Sequence, residues 1–187
     1  PSSELALSFE SNLMTLSAPD LRVMDDRAVA GVSFTTAVLQ MHYKNDPQIW
    51  FYLTVSLNDP RGAATDDVQP IDKYSCAPIA HTAFLSNRRY GRLGNGSAQF
   101  STSTWSDFRH FEWRVNRSEF ATILSELGSP GRRNDEGICV PYSSFSLNPE
   151  DYFVGAYFVG PELHQHPNGI KQEVGHATRN LQIWGEK

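Results

Sequence analysis

The sequence predicts an all-β protein: an antiparallel β-sandwich, jelly-roll-like, with one short helix around residues 117–127. Three observations carry this expectation. Apolar and polar residues alternate strictly in several segments, the mark of half-buried strands. One segment alone convincingly shows the i, i+3, i+4, i+7 apolar spacing of a packed helix. Strand and helix patterns do not alternate along the chain, which argues against the βαβ units of a parallel sheet.

Near the N terminus, Leu5-Ala6-Leu7-Ser8-Phe9 and Asp20-Leu21-Arg22-Val23 read as strands. Val32 to Tyr43 is the next, with apolar residues on both faces, so a bulge or burial on both sides is expected. Gln48 to Asn58 is the most regular segment. Ile49, Phe51, Leu53, Val55 and Leu57 form an aliphatic and aromatic core face. Trp50, Tyr52, Thr54, Ser56 and Asn58 form the opposite face. Lys44-Asn45-Asp46-Pro47 joins the two segments as an antiparallel hairpin.

Gln99 to Thr104 is expected as a strand and Trp105-Ser106-Asp107 as a bend. In the strand Phe108 to Val115, Phe111, Trp113 and Val115 share one face, and His110, Glu112 and Arg114 share the other. The helix follows, with Phe120, Ile123, Leu124 and Leu127 as its apolar stripe. Asn116 and Glu119 have the spacing of a capping box, and Gly128 stands at the C′ position. Residues 129–137 read as a polar loop. Phe153 to Val159 lacks alternation, as expected of a central strand buried on both faces. Thr178 to Trp184 is the last strand, with Leu181 and Ile183 inward and Asn180, Gln182 and Trp184 outward. No internal repeat or long linker divides the chain, so residues 1–187 are read as one domain.

The 187 residues are 40% hydrophobic and 12% aromatic, enough for a sizeable core, and no apolar run reaches membrane-helix length. The formal net charge of −5 argues against a general nucleic-acid binder. No membrane insertion is expected. Cys76 and Cys139 suit either one disulfide or two buried thiols, depending on the compartment. A Ser-, Thr- and Asn-rich composition with few lysines hints at a secreted protein, and the expected location is extracellular, cell-surface or periplasmic. Residue 1 is Pro, the start expected after leader removal or of a module from a larger multidomain protein. The sequons at Asn95 and Asn116 matter in a eukaryotic secretory setting.

Two residue groups carry most of the functional expectation. Trp50 and Tyr52 form an aromatic platform, because sugar rings present C–H faces that stack on aromatic rings while their hydroxyls need polar partners. Asn58, Glu112 and Arg114 are the expected polar contacts. His110 and Glu112 are candidate catalytic residues, since a carboxylate held between a histidine and an arginine is ionised and oriented. Glycoside chemistry would need a second acid, for which Asp59, Glu162 and Glu173 are candidates.

Other groups are weaker. Arg88, Arg89 and Arg92, with Arg132 and Arg133, read as solvated loop residues, with recognition of uronic-acid groups or an acidic partner as the alternative. His164, His166, Glu173 and His176 are interrupted by Pro167-Asn168-Gly169 and read as a polar loop, so no metal ligands are assigned. Asp59, Asp66 and Asp67 leave room for a structural calcium, and no other cofactor is expected. The expected function is non-catalytic glycan or polysaccharide binding. The alternatives are a jelly-roll polysaccharide lyase or hydrolase using His110 and Glu112, and a protein-interaction or adhesin domain.

Overall fold

A computed structural model describes residues 4–17, 33–58, 67–69, 75–82, 90–98, 105–127, 131–141, 145–163 and 173–186. Its strands are β1 (Glu4–Ser17), β2 (Ser33–Tyr43), β3 (Trp50–Asn58), β4 (Asp67–Gln69), β5 (Ile79–Thr82), β6 (Arg92–Leu93), β7 (Trp105–Asn116), β8 (Gly131–Arg133), β9 (Cys139–Pro141), β10 (Tyr152–Leu163) and β11 (Glu173–Glu186). Helix α1 (Arg117–Glu126) follows β7, and a single 3-10 turn, Pro149–Asp151, precedes β10.

The strands form two facing sheets, a β-sandwich. One has the order β11-β1-β7-β6 and the other β10-β2-β3-β5-β4, while β8 and β9 make a separate ribbon. Neighbours run antiparallel except β3 and β5, which are parallel. The core follows from alternation. Leu7, Phe9, Phe111, Trp113 and Val115 face inward from the first sheet, and Leu39, Met41, Phe51, Leu53 and Val55 from the second. Phe120, Ile123 and Leu124 of α1 join the same cluster. The helix starts where its capping box predicts: the Glu119 amide donates to Asn116 Oδ1 at 2.9 Å, and the Asn116 amide donates to Glu119 Oε2 at 2.7 Å.

The β2–β3 hairpin forms with the expected inward face, and a register shift beside Thr35 supplies the expected irregularity. Three expectations change. First, Phe153 to Val159 belongs to β10, which lies at the edge of its sheet rather than the centre. Phe153, Tyr157 and Phe158 are 41%, 54% and 48% exposed. The missing alternation comes from a register shift between Val154 and Ala156, where Gly155 reverses the phase of the side chains. Second, Trp105 opens β7 instead of making a bend. It is buried, and its Nε1 donates to the Ser11 carbonyl at 2.9 Å, across a bulge in the β1–β7 pairing. Third, the polar loop at 129–137 contains β8 of the small ribbon.

Cys76 and Cys139 form a disulfide, with Cα atoms 5.4 Å apart, tying the ribbon to the segment that enters β5. No helix among the described residues is long and apolar enough to cross a membrane. The strands expected at 20–23 and 99–104 lie outside the described residues.

Candidate functional site

The two expected site groups lie on opposite outer faces of the sandwich. Trp50 and Tyr52 point away from the core on β3, in the five-stranded sheet. His110, Glu112 and Arg114 point away from the core on β7, in the four-stranded sheet. One small ligand cannot touch both, so Glu112 and Arg114 are not the polar contacts of the Trp50 platform. Asn58 closes β3, and its side chain lies outside the described residues.

On the five-stranded sheet the antiparallel register builds a row of rings. Trp50 of β3 pairs with His42 of β2, and His42 pairs with Phe153 of β10. The Trp50 and His42 ring centroids are 6.2 Å apart and nearly parallel, at 24°. His42 and Phe153 are 5.6 Å apart. Tyr52 meets Trp50 edge-on at 4.8 Å, an arrangement favoured by the ring quadrupoles. Behind this row Gln40 pairs with Tyr52 and Ala156, and Val38 pairs with Phe158.

His42 is held in place. Its Nδ1 lies 2.6 Å from the Pro47 carbonyl oxygen in the hairpin turn. Gly155 packs against the other side of the ring, so closely that a Cβ there would sit 2.3 Å from His42 Cδ2. The glycine that reverses the phase of β10 is therefore also the residue that admits the His42 ring.

Thr54 and Ser56, which share the outer face of β3 with Trp50 and Tyr52, are buried instead of open. Both contact the ring of His81 on β5, Thr54 Oγ1 at 2.9 Å from Nδ1 and Ser56 Oγ at 3.0 Å from Nε2. The platform is thus the end of the face near Trp50, His42 and Phe153.

The four-stranded face is a linked set of ion pairs. Arg114 Nε lies 2.5 Å from Glu112 Oε1, and Arg114 also reaches Glu4 Oε2 at 2.8 Å. Glu4 bonds Arg92 through its other oxygen, and Arg92 stands 3.6 Å from Glu119. His110 Nε2 is 3.7 Å from Glu112 Oε2. The Arg114 guanidinium also lies over the Trp184 ring, 5.9 Å from its centroid. Further along, Arg179 bonds Glu10 and covers Phe108. The Arg179 hydrogen bond holds the Glu10 carboxyl below the usual glutamate range. Gly94 lies directly on the Glu112 carboxylate, where a Cβ would fall 2.1 Å from Oε1.

Glu112 is therefore engaged by an arginine, and the acid brought to the same arginine is Glu4. Among the acids considered as its catalytic companion, Asp59 lies outside the described residues, as do the side chains of Glu162 and Glu173. The remaining groups disperse. Arg88 and Arg89 lie outside the described residues, as do the side chains of Arg132 and Arg133, and Arg92 serves the ion-pair set. His164 and His166 also lie outside them. His176 is on β11, its Nε2 3.0 Å from Ser11 Oγ, and burial pushes its pKa down. Asp59 and Asp66 fall outside the described residues, with the Asp67 side chain. Among the described residues no group of three or more His, Cys, Asp or Glu is placed to hold a metal.

A cavity of about 620 Å³ lies elsewhere. It opens between the sheets, with Leu5, Met41, Val115, Phe120, Tyr152 and Val154 among its lining residues. Its rim carries the Arg117–Glu150 ion pair at 2.6 Å. Phe153 touches this cleft from one side and the row of rings from the other.

Sequence reasoning missed His42 and Phe153. The signal for His42 was present: a hairpin pairing Tyr43 near Ile49 places His42 opposite Trp50. Phe153 had no local signal, because β10 comes from far along the chain. No protein-family model matches this chain, and no curated protein or solved structure shows significant similarity to it.

Proposed function

We propose that this protein binds carbohydrate without chemically altering it, through the outer face of the five-stranded sheet. One observation carries the reading: Trp50, His42 and Phe153 form a continuous row across three strands, with Tyr52 edge-on against Trp50. Partly exposed rings fixed by neighbours lose little freedom when a ligand stacks on them. Saccharide rings supply the matching apolar faces, and Gln40 supplies an amide for hydroxyls beside the row. The face is open, so much of a bound chain stays in water and affinity is modest. The disulfide supports an oxidising compartment, consistent with a secreted or surface location. In that setting the domain serves as a glycan-recognition module, one part of a larger protein.

The test is a glycan array followed by calorimetry. Wild type is expected to bind one class of glycan. Trp50→Ala and Phe153→Ala each weaken it about tenfold or more, as truncation of a central aromatic contact does. Glu112→Gln, on the opposite face, leaves it unchanged. Absence of binding to any glycan contradicts the proposal.

A further inference from the structure

We infer that the ring-lined face selects neutral glycans, and that His42 Nε2 is its hydrogen-bond acceptor for a ligand hydroxyl. The inference rests on the glycan-binding reading and specifies its ligand. The Pro47 carbonyl can only accept, so the 2.6 Å contact requires the proton on His42 Nδ1. In the neutral ring this leaves the lone pair on Nε2. The described hydrogen bonds of His42 end at Pro47, and Nε2 is not a buried unsatisfied atom. It therefore keeps some access to solvent, on the ring edge beside Gly155 and between the Trp50 and Phe153 rings, as an oriented acceptor.

Charge fixes the ligand class. The outward positions from Thr36 to His42 on β2, from Trp50 to Ser56 on β3 and from Phe153 to Phe158 on β10 hold no Asp, Glu, Lys or Arg. Among the described residues, charges stand at the hairpin end of this face: Lys44 and Asp46 in the turn, and Glu150 and Asp151 just before Phe153. Lys44 Nζ donates to the Glu150 carbonyl, and Asp46 Oδ1 accepts from the Gln48 amide at 3.1 Å. Uronates and sulfates are recognised by arginine forks. Among the described residues, the outward arginines on strands, Arg92, Arg109, Arg114 and Arg179, belong to the other sheet, where three of them are ion-paired and Arg109 lies over the Trp105 ring. An anionic chain laid on these positions would lose water without gaining an arginine fork.

The experiment combines a binding panel with a direct view of the ring. The panel sets neutral chains (β-glucan, mannan, xylan, chito-oligosaccharide) against polygalacturonate, alginate and heparin. The neutral class is expected to bind. His42→Phe, which keeps a ring in the row but removes the acceptor, is expected to bind about fivefold to tenfold more weakly, the effect of one hydrogen bond. Long-range proton–nitrogen spectra of the free protein at neutral to alkaline pH are expected to show the Nδ1–H tautomer at His42, a readout that needs no ligand and no variant.

Binding confined to the anionic glycans, lost in Trp50→Ala, overturns the ligand class while sustaining the glycan reading. Unchanged affinity in His42→Phe, or an Nε2–H tautomer, overturns the acceptor role alone. No glycan bound at all overturns the reading and this inference with it.

Discussion

On the four-stranded sheet the outward positions of β1, β7 and β11 hold Glu4, Glu10, Glu112, Arg114 and Arg179, each bonded to an opposite charge. On the five-stranded sheet the corresponding positions of β2, β3 and β10 hold His42, Gln40, Trp50, Tyr52, Phe153 and Phe158. Both faces arise from the same period of two, and both cover the same core. The first has its hydrogen-bonding capacity used internally, so it is a surface whose side chains hold one another. The second presents apolar rings and polar groups that the protein leaves facing outward. Exposed aromatic area of this kind is what a ligand can cover, whereas a satisfied ion-pair set must be broken before it can bind anything.

Substitutions on each face should separate stability from binding. The largest effect expected is from Arg114→Ala. It leaves Glu4, which is 8% exposed, and Glu112 without their shared partner. Denaturant unfolding should show a loss of about 2–3 kcal/mol, with glycan affinity intact in the folded protein. Trp50→Ala reverses this pattern. Its ring is only partly exposed and packs on His42 and Tyr52, so stability should fall less than in Arg114→Ala, by about 1–2 kcal/mol, while binding falls about tenfold.

The two glycines that support the faces make the next comparison. Gly155→Ala drives a Cβ into the His42 ring and should cost about 1–2 kcal/mol, together with a measurable loss of affinity. Gly94→Ala drives a Cβ into the Glu112 carboxylate. It should cost about 1 kcal/mol and leave affinity alone.

The smallest effect is in pH. The folded Glu10 has its pKa below the ordinary value of 4.5, mainly through the hydrogen bond from Arg179. Folding therefore favours the ionised form. The associated stability is fully present above pH 4.5 and is lost as pH falls below it. Thermal melts between pH 6 and pH 3 should show a shallower acid decline in Arg179→Ala than in wild type. Glycan binding by the ring-lined face should not follow this titration.

Much of the fold could be read locally. Ile49, Phe51, Leu53, Val55 and Leu57 alternate without a break, and all are buried. The capping box at Asn116 needs three residues of context and forms as read. Long-range placement was not legible. The phase of β10 turns on Gly155, whose role is visible only once β2 is alongside it. An uncharged, unalternating run fits burial on both faces, yet the same pattern fits an edge strand with a bulge. The same limit divided the candidate site. Alternation places Trp50 outward on β3 and Glu112 outward on β7, but says nothing about which sheet each strand joins. Glu4 and Glu10 alternate with Leu5, Leu7 and Phe9, so their outward position was readable, whereas their pairing with Arg114 and Arg179 required the β1 register.

The most direct test of the account is calorimetric titration of a neutral glycan found on the array into wild type, Trp50→Ala and Glu112→Gln. The account predicts saturable binding to wild type, a loss of about tenfold or more in Trp50→Ala and no change in Glu112→Gln. Loss of binding in Glu112→Gln with retention in Trp50→Ala would place the ligand on the ion-paired face and contradict it.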